Sequence, residues 1–130
     1  RNSMTMALRK ANWSPENVGH INAHGLSTTT ADAEEARAIC DVFGERKTPV
    51  VAAKSFFGNL GAGSGVVEMA ASVMALHQKA LFPTLNYETP DPNCPVNVCT
   101  TSGADPGKGF LKVNVSPQGQ SSAVAIAAYE

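Results

Sequence analysis

The sequence has no surplus of one charge, no long apolar run and no set of paired cysteines, and each absence excludes a class of function. Lys and Arg number 10 against 11 Asp and Glu, and no like-charge run stands out, so nothing in the charge favours nucleic acid or an anionic lipid surface. No stretch approaches the roughly 18 apolar residues that a membrane span needs, and the first residues lack the basic-then-apolar layout of a secretory leader. Cys40, Cys94 and Cys99 are odd in number and scattered, which reads as reduced thiols in a soluble, cytoplasmic protein. No metal is expected: His20 and His24 lie four apart but on a strand pattern, without the glutamate of a zinc-protease helix, and Cys94 and Cys99 have no second pair of ligands. The glycines of Gly61-x-Gly63-x-x-Val66 stop short of a dinucleotide fingerprint, and no Gly-Lys-Ser/Thr follows to hold phosphates. Ser64 sits between glycines without the wider frame of a hydrolase nucleophile.

What is present is concentrated between Lys54 and Glu68. The run Val50 to Ala53 leads into a cation, an amide at Asn59 and the glycines 58, 61, 63 and 65, a combination that bends the backbone and leaves room for a ligand. The rest reads as scaffold. Met4, Leu8 and Ala11 mark an amphipathic helix without an N-cap before it, which points to a helix beginning upstream and to a piece of a longer chain. Ser14-Pro15 turns the chain into a strand from Val18 to Ala23, and a second helix carries Ala36, Ile39, Cys40 and Phe43 on its buried stripe and closes at Gly44. From Val66 to Ala80 apolar residues surround the helix almost completely, the pattern of a helix packed on several sides within an assembly. An irregular proline-containing stretch, with one short strand at 96–99, precedes strands at 110–115 and 121–129 joined by a turn at 116–119. Strands alternating with helices and ending in an antiparallel pair predict one layered α/β domain over 1–130.

Two strand ends carry the candidate chemistry. His24 closes one, ahead of glycine and several hydroxyl residues, and can face a ligand or simply bond backbone. Lys54 closes the other, with Glu68 placed on the following helix to pair with it; such a pair can fix a loop or serve catalysis.

These motifs resemble the C-terminal half of the β-ketoacyl-[acyl-carrier-protein] synthases, from about Met4 to Tyr129. Asn22-Ala23-His24-Gly25-Leu26-Ser27-Thr28 is similar to the family's N-A-H-G-T-x-T, with Asp32 and Glu35 at its following acidic positions. Lys54-Ser55-Phe56-Phe57-Gly58-Asn59 through Gly65 is similar to K-S-x-x-G-H-x-x-G-A-A-G, with Glu68 at the acidic position, and Pro83-Thr84-Leu85-Asn86 resembles P-P-T-x-N. The resemblance implies a thiolase-like fold, of which this chain is most of one half: a mixed five-stranded sheet, with its first strand allowed to lie outside the chain. It implies a homo-oligomer, an N-terminal half carrying a nucleophilic cysteine, and an acyl carrier protein whose phosphopantetheine arm brings the substrates, with no other cofactor. The implied reaction is decarboxylation of a malonyl thioester and Claisen attack on an acyl-enzyme, in fatty acid or polyketide synthesis.

Carried over by position, His24 matches the first catalytic histidine and Lys54 the lysine, with Glu68, Gly58, Ser55 and Asp32 in support. The second histidine is replaced by Asn59, which can donate a hydrogen bond but cannot move a proton. Leu26 replaces a threonine, and the family's G-F-G-G-T-N loop becomes Ser116-Pro117-Gln118-Gly119-Gln120-Ser121-Ser122, where only Gly119 is clearly kept. Gln118 and Gly119 therefore stand at the acyl-pocket loop. An enzyme whose 130-residue part is inactive alone is the first reading; a non-catalytic partner of the chain-length-factor type is the alternative, and a structural fragment the third.

Overall fold

The computed structural model describes residues 1–129, in which strands and helices form layers of helix, sheet and helix. The strands are β1 (His20–Asn22), β2 (Pro49–Val51), β3 (Asn97–Val98), β4 (Gly109–Val115) and β5 (Ser121–Ala127), in the spatial order β3-β2-β1-β4-β5. β1 lies parallel to both β2 and β4, β2 is parallel to β3, and β4 and β5 form an antiparallel hairpin, so the sheet is mixed. The helices are α1 (Asn2–Ala11), α2 (Thr29–Phe43), a single turn α3 (Lys54–Phe57) and α4 (Ser64–Gln78), with short 3₁₀ turns at Pro15–Asn17 and Gly61–Gly63.

Alternation along the strands sorts the two faces of the sheet. Ile21, Ala23, Val50, Leu111 and Val113 face one way and join Met4 and Leu8 of α1 and Ile39 and Phe43 of α2 in the apolar core. The residues between them, His20, Asn22, Phe110 and Lys112, belong to the opposite face, which α4 covers. Such polar alternation ordinarily marks a wetted face, yet His20 and Asn22 are fully buried.

Two local expectations differ from what forms. The stretch opening at Lys54 is no open loop, because α3 and the 3₁₀ turn structure much of it, and α4 begins at Ser64 rather than Val66. Within this chain α4 buries Ser64, Glu68, Ser72 and Ala75, a stripe recurring every three or four residues, and leaves Val66, Val67, Val73 and Met74 exposed, so packing on several sides would require further protein. Cys40 is half-buried rather than core, its thiol near the Pro95 carbonyl at 3.7 Å. No helix among the described residues is long and apolar enough to cross a membrane.

Candidate active site

β1 and β2 run parallel and end side by side, so the residues that follow them emerge together at the carboxyl end of the sheet, where open α/β folds place their ligands. His24 leaves β1 there and Lys54 leaves β2. Gly25, at φ +50°, makes the bend after His24; a side chain on it would meet Ala52 at 2.7 Å. Glu35 of α2 fixes this turn with both carboxylate oxygens, accepting from the backbone N–H of His24 at 2.7 Å and of Gly25 at 2.9 Å. Asp32, at the start of α2, accepts from the Ser27 N–H at 3.2 Å.

Lys54 reaches across from the start of α3. Its Nζ donates to the His24 carbonyl at 2.7 Å and to Glu68 Oε1 at 2.6 Å, and lies 3.4 Å from His24 Nδ1. An ammonium has only donors, so at that third contact Nδ1 is the acceptor and the ring's own proton sits on Nε2. Glu68 is wholly buried on α4 and meets a second cation: Lys112 of β4 donates to Oε2, to the Ala23 carbonyl at 2.9 Å and to the Val113 carbonyl at 2.8 Å. Burial pushes the Lys112 ammonium below the ordinary lysine range, and its hydrogen bond and charge attraction to Glu68 oppose that shift.

A chain of polar contacts runs on beneath this cluster. Asn22 Nδ2 donates to the Glu68 carbonyl at 2.7 Å and to Ser72 Oγ at 2.8 Å, while its Oδ1 is buried with no partner among the described residues. His20, stacked on Phe110 at 5.1 Å between ring centroids, bonds the Pro106 carbonyl through Nδ1 and Ser72 Oγ through Nε2. A carbonyl can only accept, so His20 carries its proton on Nδ1, the opposite tautomer to His24. Burial lowers the His20 pKa, with the Pro106 bond opposing.

The remaining predicted residues are dispersed around this centre. Asn59 is exposed; its Oδ1 accepts from the Gly61 N–H at 3.1 Å and from Ser64 Oγ at 3.0 Å, so the amide NH₂ is the part of the side chain that can still donate. Gly58, at φ +76°, ends α3, and Ser55 Oγ bonds the Ala52 carbonyl at 2.8 Å while accepting from the Leu85 N–H. Gln118 and Gly119 lie in the exposed β4–β5 turn, closed by the Gly119 N–H on the Ser116 carbonyl, and make no hydrogen bond to His24, Lys54 or Asn59. Lys112, Ser72 and His20 belong to the buried network without being expected as site residues; the signal for Lys112 is a lone charge within the apolar strand Gly109–Val115. A cavity of about 580 Å³ lies among Glu16, Val18, Arg46, Thr48 and Lys108, at the opposite, amino end of the strands. It has no part in this cluster.

Residues 1–88 match the family model described as beta-ketoacyl synthase, C-terminal domain. The chain belongs to the β-ketoacyl synthase family. Over 93 residues it is 43% identical to a 3-oxoacyl-[acyl-carrier-protein] synthase 2 of Coxiella burnetii, covering 70% of this chain and 22% of that one. Over 105 residues it is 36% identical to a putative polyketide beta-ketoacyl synthase 1 of Streptomyces virginiae, covering 79% and 25%. The chain thus spans about a quarter of the length of these curated relatives. In fold the ketosynthase likeness extends past residue 88. A structure of a type II polyketide synthase acyl-carrier protein in complex with its ketosynthase bound to the hexaketide matches with a TM-score of 0.91 at 33% identity, over 97% of this chain and 32% of that one. A Xenorhabdus doucetiae ketosynthase in complex with its chain length factor matches with a TM-score of 0.88 at 25% identity, over 98% and 32%. The layered sheet is therefore a thiolase-like ketosynthase half.

Proposed function

We propose that this domain forms the proton-poor half of a condensing site, in which a malonyl thioester on a phosphopantetheine arm loses carbon dioxide and the resulting enolate attacks an acyl-enzyme. The observation that carries the reading is the contact of Lys54 with both the carbonyl and Nδ1 of His24, because it leaves Nε2–H as a fixed donor. When carbon dioxide leaves, negative charge develops on the thioester oxygen. The His24 Nε2–H and the Asn59 amide are suited to donate to it, and preorganised donors of this kind are worth about 10²–10³ in rate. The electron pair left at the α-carbon then forms the new carbon–carbon bond at the acyl carbonyl, and the cysteine thiolate departs. Neither Lys54 nor Glu68 need touch substrate; they hold the imidazole. The nucleophile belongs to an N-terminal half, whose natural seat is the exposed apolar side chains of α3, α4 and the connection between them, Phe56, Phe57, Leu60, Val66, Val67, Val73 and Met74.

In the complete condensing protein, His24→Ala is expected to reduce malonyl decarboxylation and condensation by about 10²-fold or more. An unchanged rate removes His24 from the mechanism. The 130-residue domain alone is expected to show no condensation, and turnover by it would contradict the division of the site between halves. A second reading, a non-catalytic partner of the chain-length-factor type, is favoured by Asn59, which cannot serve as acid or base, and by the Ser116–Gln120 turn in place of a glycine-rich loop. It predicts that the complete protein lacks a cysteine nucleophile and supports condensation only when paired with an active subunit.

A further inference from the structure

We propose that Lys112 is a positioning residue of this site: by occupying Oε2 of Glu68 it leaves Lys54 a single carboxylate oxygen and so keeps the Lys54 ammonium against His24. What the His24 donor then does rests on the condensing reading above; the positioning itself does not.

A carboxylate facing one ammonium draws it toward the space between its oxygens. Here the oxygens are divided, Oε1 to Lys54 and Oε2 to Lys112. Lys54 is therefore held off-centre, with its other protons directed at the His24 carbonyl and Nδ1. Lys112 itself cannot move to share Oε1, because the Ala23 and Val113 carbonyls take its remaining protons and the Asn22 carbonyl lies 3.4 Å away. Three donors meet three close acceptors. These bonds also fasten the end of β1, the strand that delivers His24, to β4.

With Lys112 removed, Lys54 is free to centre on Glu68 and withdraw from His24. The ring then loses the donor that fixed its tautomer. Pure packing by Lys112 would have no such effect.

The test is ¹⁵N NMR of histidine-labelled domain in wild type, Lys112→Met, Lys112→Leu and the double variant Lys112→Met/Glu68→Gln. Wild type is expected to show His24 with a bare Nδ1 and a protonated Nε2, and His20, as an internal reference, with the reverse. In Lys112→Met the separation between the two His24 nitrogen shifts is expected to collapse toward a tautomer average while His20 keeps its own. The double variant again offers Lys54 one oxygen, that of the amide introduced by Glu68→Gln, and is expected to restore the wild-type pattern. Lys112→Leu carries the same test if the methionine variant does not fold, since it too removes the donor to Oε2 and brings no cation to Glu68. A His24 pattern unchanged in a folded Lys112 variant overturns the proposal. Malonyl decarboxylation by the complete protein is read separately: a His24 tautomer that responds to Lys112, in a protein that does not decarboxylate, leaves the positioning role standing and removes the condensing one.

Discussion

The two sides of α4 are opposite in polarity to what a helix on a sheet normally shows. The side pressed against β1 and β4 carries Ser64, Glu68 and Ser72, while Val66, Val67, Val73 and Met74 point away from the sheet. Inside, every polar group except Asn22 Oδ1 has a partner, so the stripe is held by directional bonds rather than by apolar area. Outside, the apolar side chains are left exposed by the described residues. The comparison separates two jobs that one helix performs: it orders a polar network on one side, and on the other it offers a surface whose burial awaits a second body.

The inner side is expected to be far more sensitive than the outer. Glu68→Ala leaves two buried ammonium groups without their shared carboxylate and should cost about 3–5 kcal/mol, measured by urea unfolding of the domain. A loss under about 1 kcal/mol would mean that water already reaches the cluster. Ser72→Ala removes the hydroxyl between His20 and Asn22 and should cost about 1–3 kcal/mol by the same measurement. Acid should act through His20. Its pKa is lowered in the fold, so the unfolded chain binds the extra proton first; stability from the neutral ring is complete above about pH 6.5 and falls as pH drops toward the lowered folded value. His20→Phe, which preserves stacking on Phe110, should flatten the pH dependence of the unfolding midpoint in that window. The smallest effect belongs outside: Val73→Lys should change the domain's own stability by no more than about 0.5 kcal/mol, yet weaken association with an N-terminal half in a binding titration. Equal costs at Ser72 and Val73 would erase the comparison.

Much of this arrangement is readable from local pattern. The stripes of Met4 and Leu8, and of Ile39 and Phe43, mark α1 and α2 because those faces meet an apolar core and periodicity reports that directly. Spacing and strand-end position pair Lys54 with Glu68, and the pair forms. Two things stay hidden. α4's apolar content masks its buried polar stripe, since composition counts residues while burial depends on which side the sheet lies. Lys112 reads as no more than one charge in an apolar strand. Its face, shared with Phe110 and with His20 and Asn22 across the pairing, is defined only once β4 lies beside β1. The one-turn helix α3 likewise owes its form to tertiary placement of Lys54, not to the propensity of a tetrapeptide that stops at Gly58.

β1 lies in the middle of the sheet, and this sets an order of events in time. As the chain leaves the ribosome, His24, Lys54 and Glu68 appear before Lys112, whose ammonium completes their cluster and meets the Asn22 carbonyl across a separation of 90 residues. Closing so large a loop is slow compared with forming α1 or α2. Until β4 docks, the central strand has one bare edge and Glu68 has one cation. The arrangement around His24 therefore waits for β4, and its appearance signals that the pairing of β1 with β4 is in place.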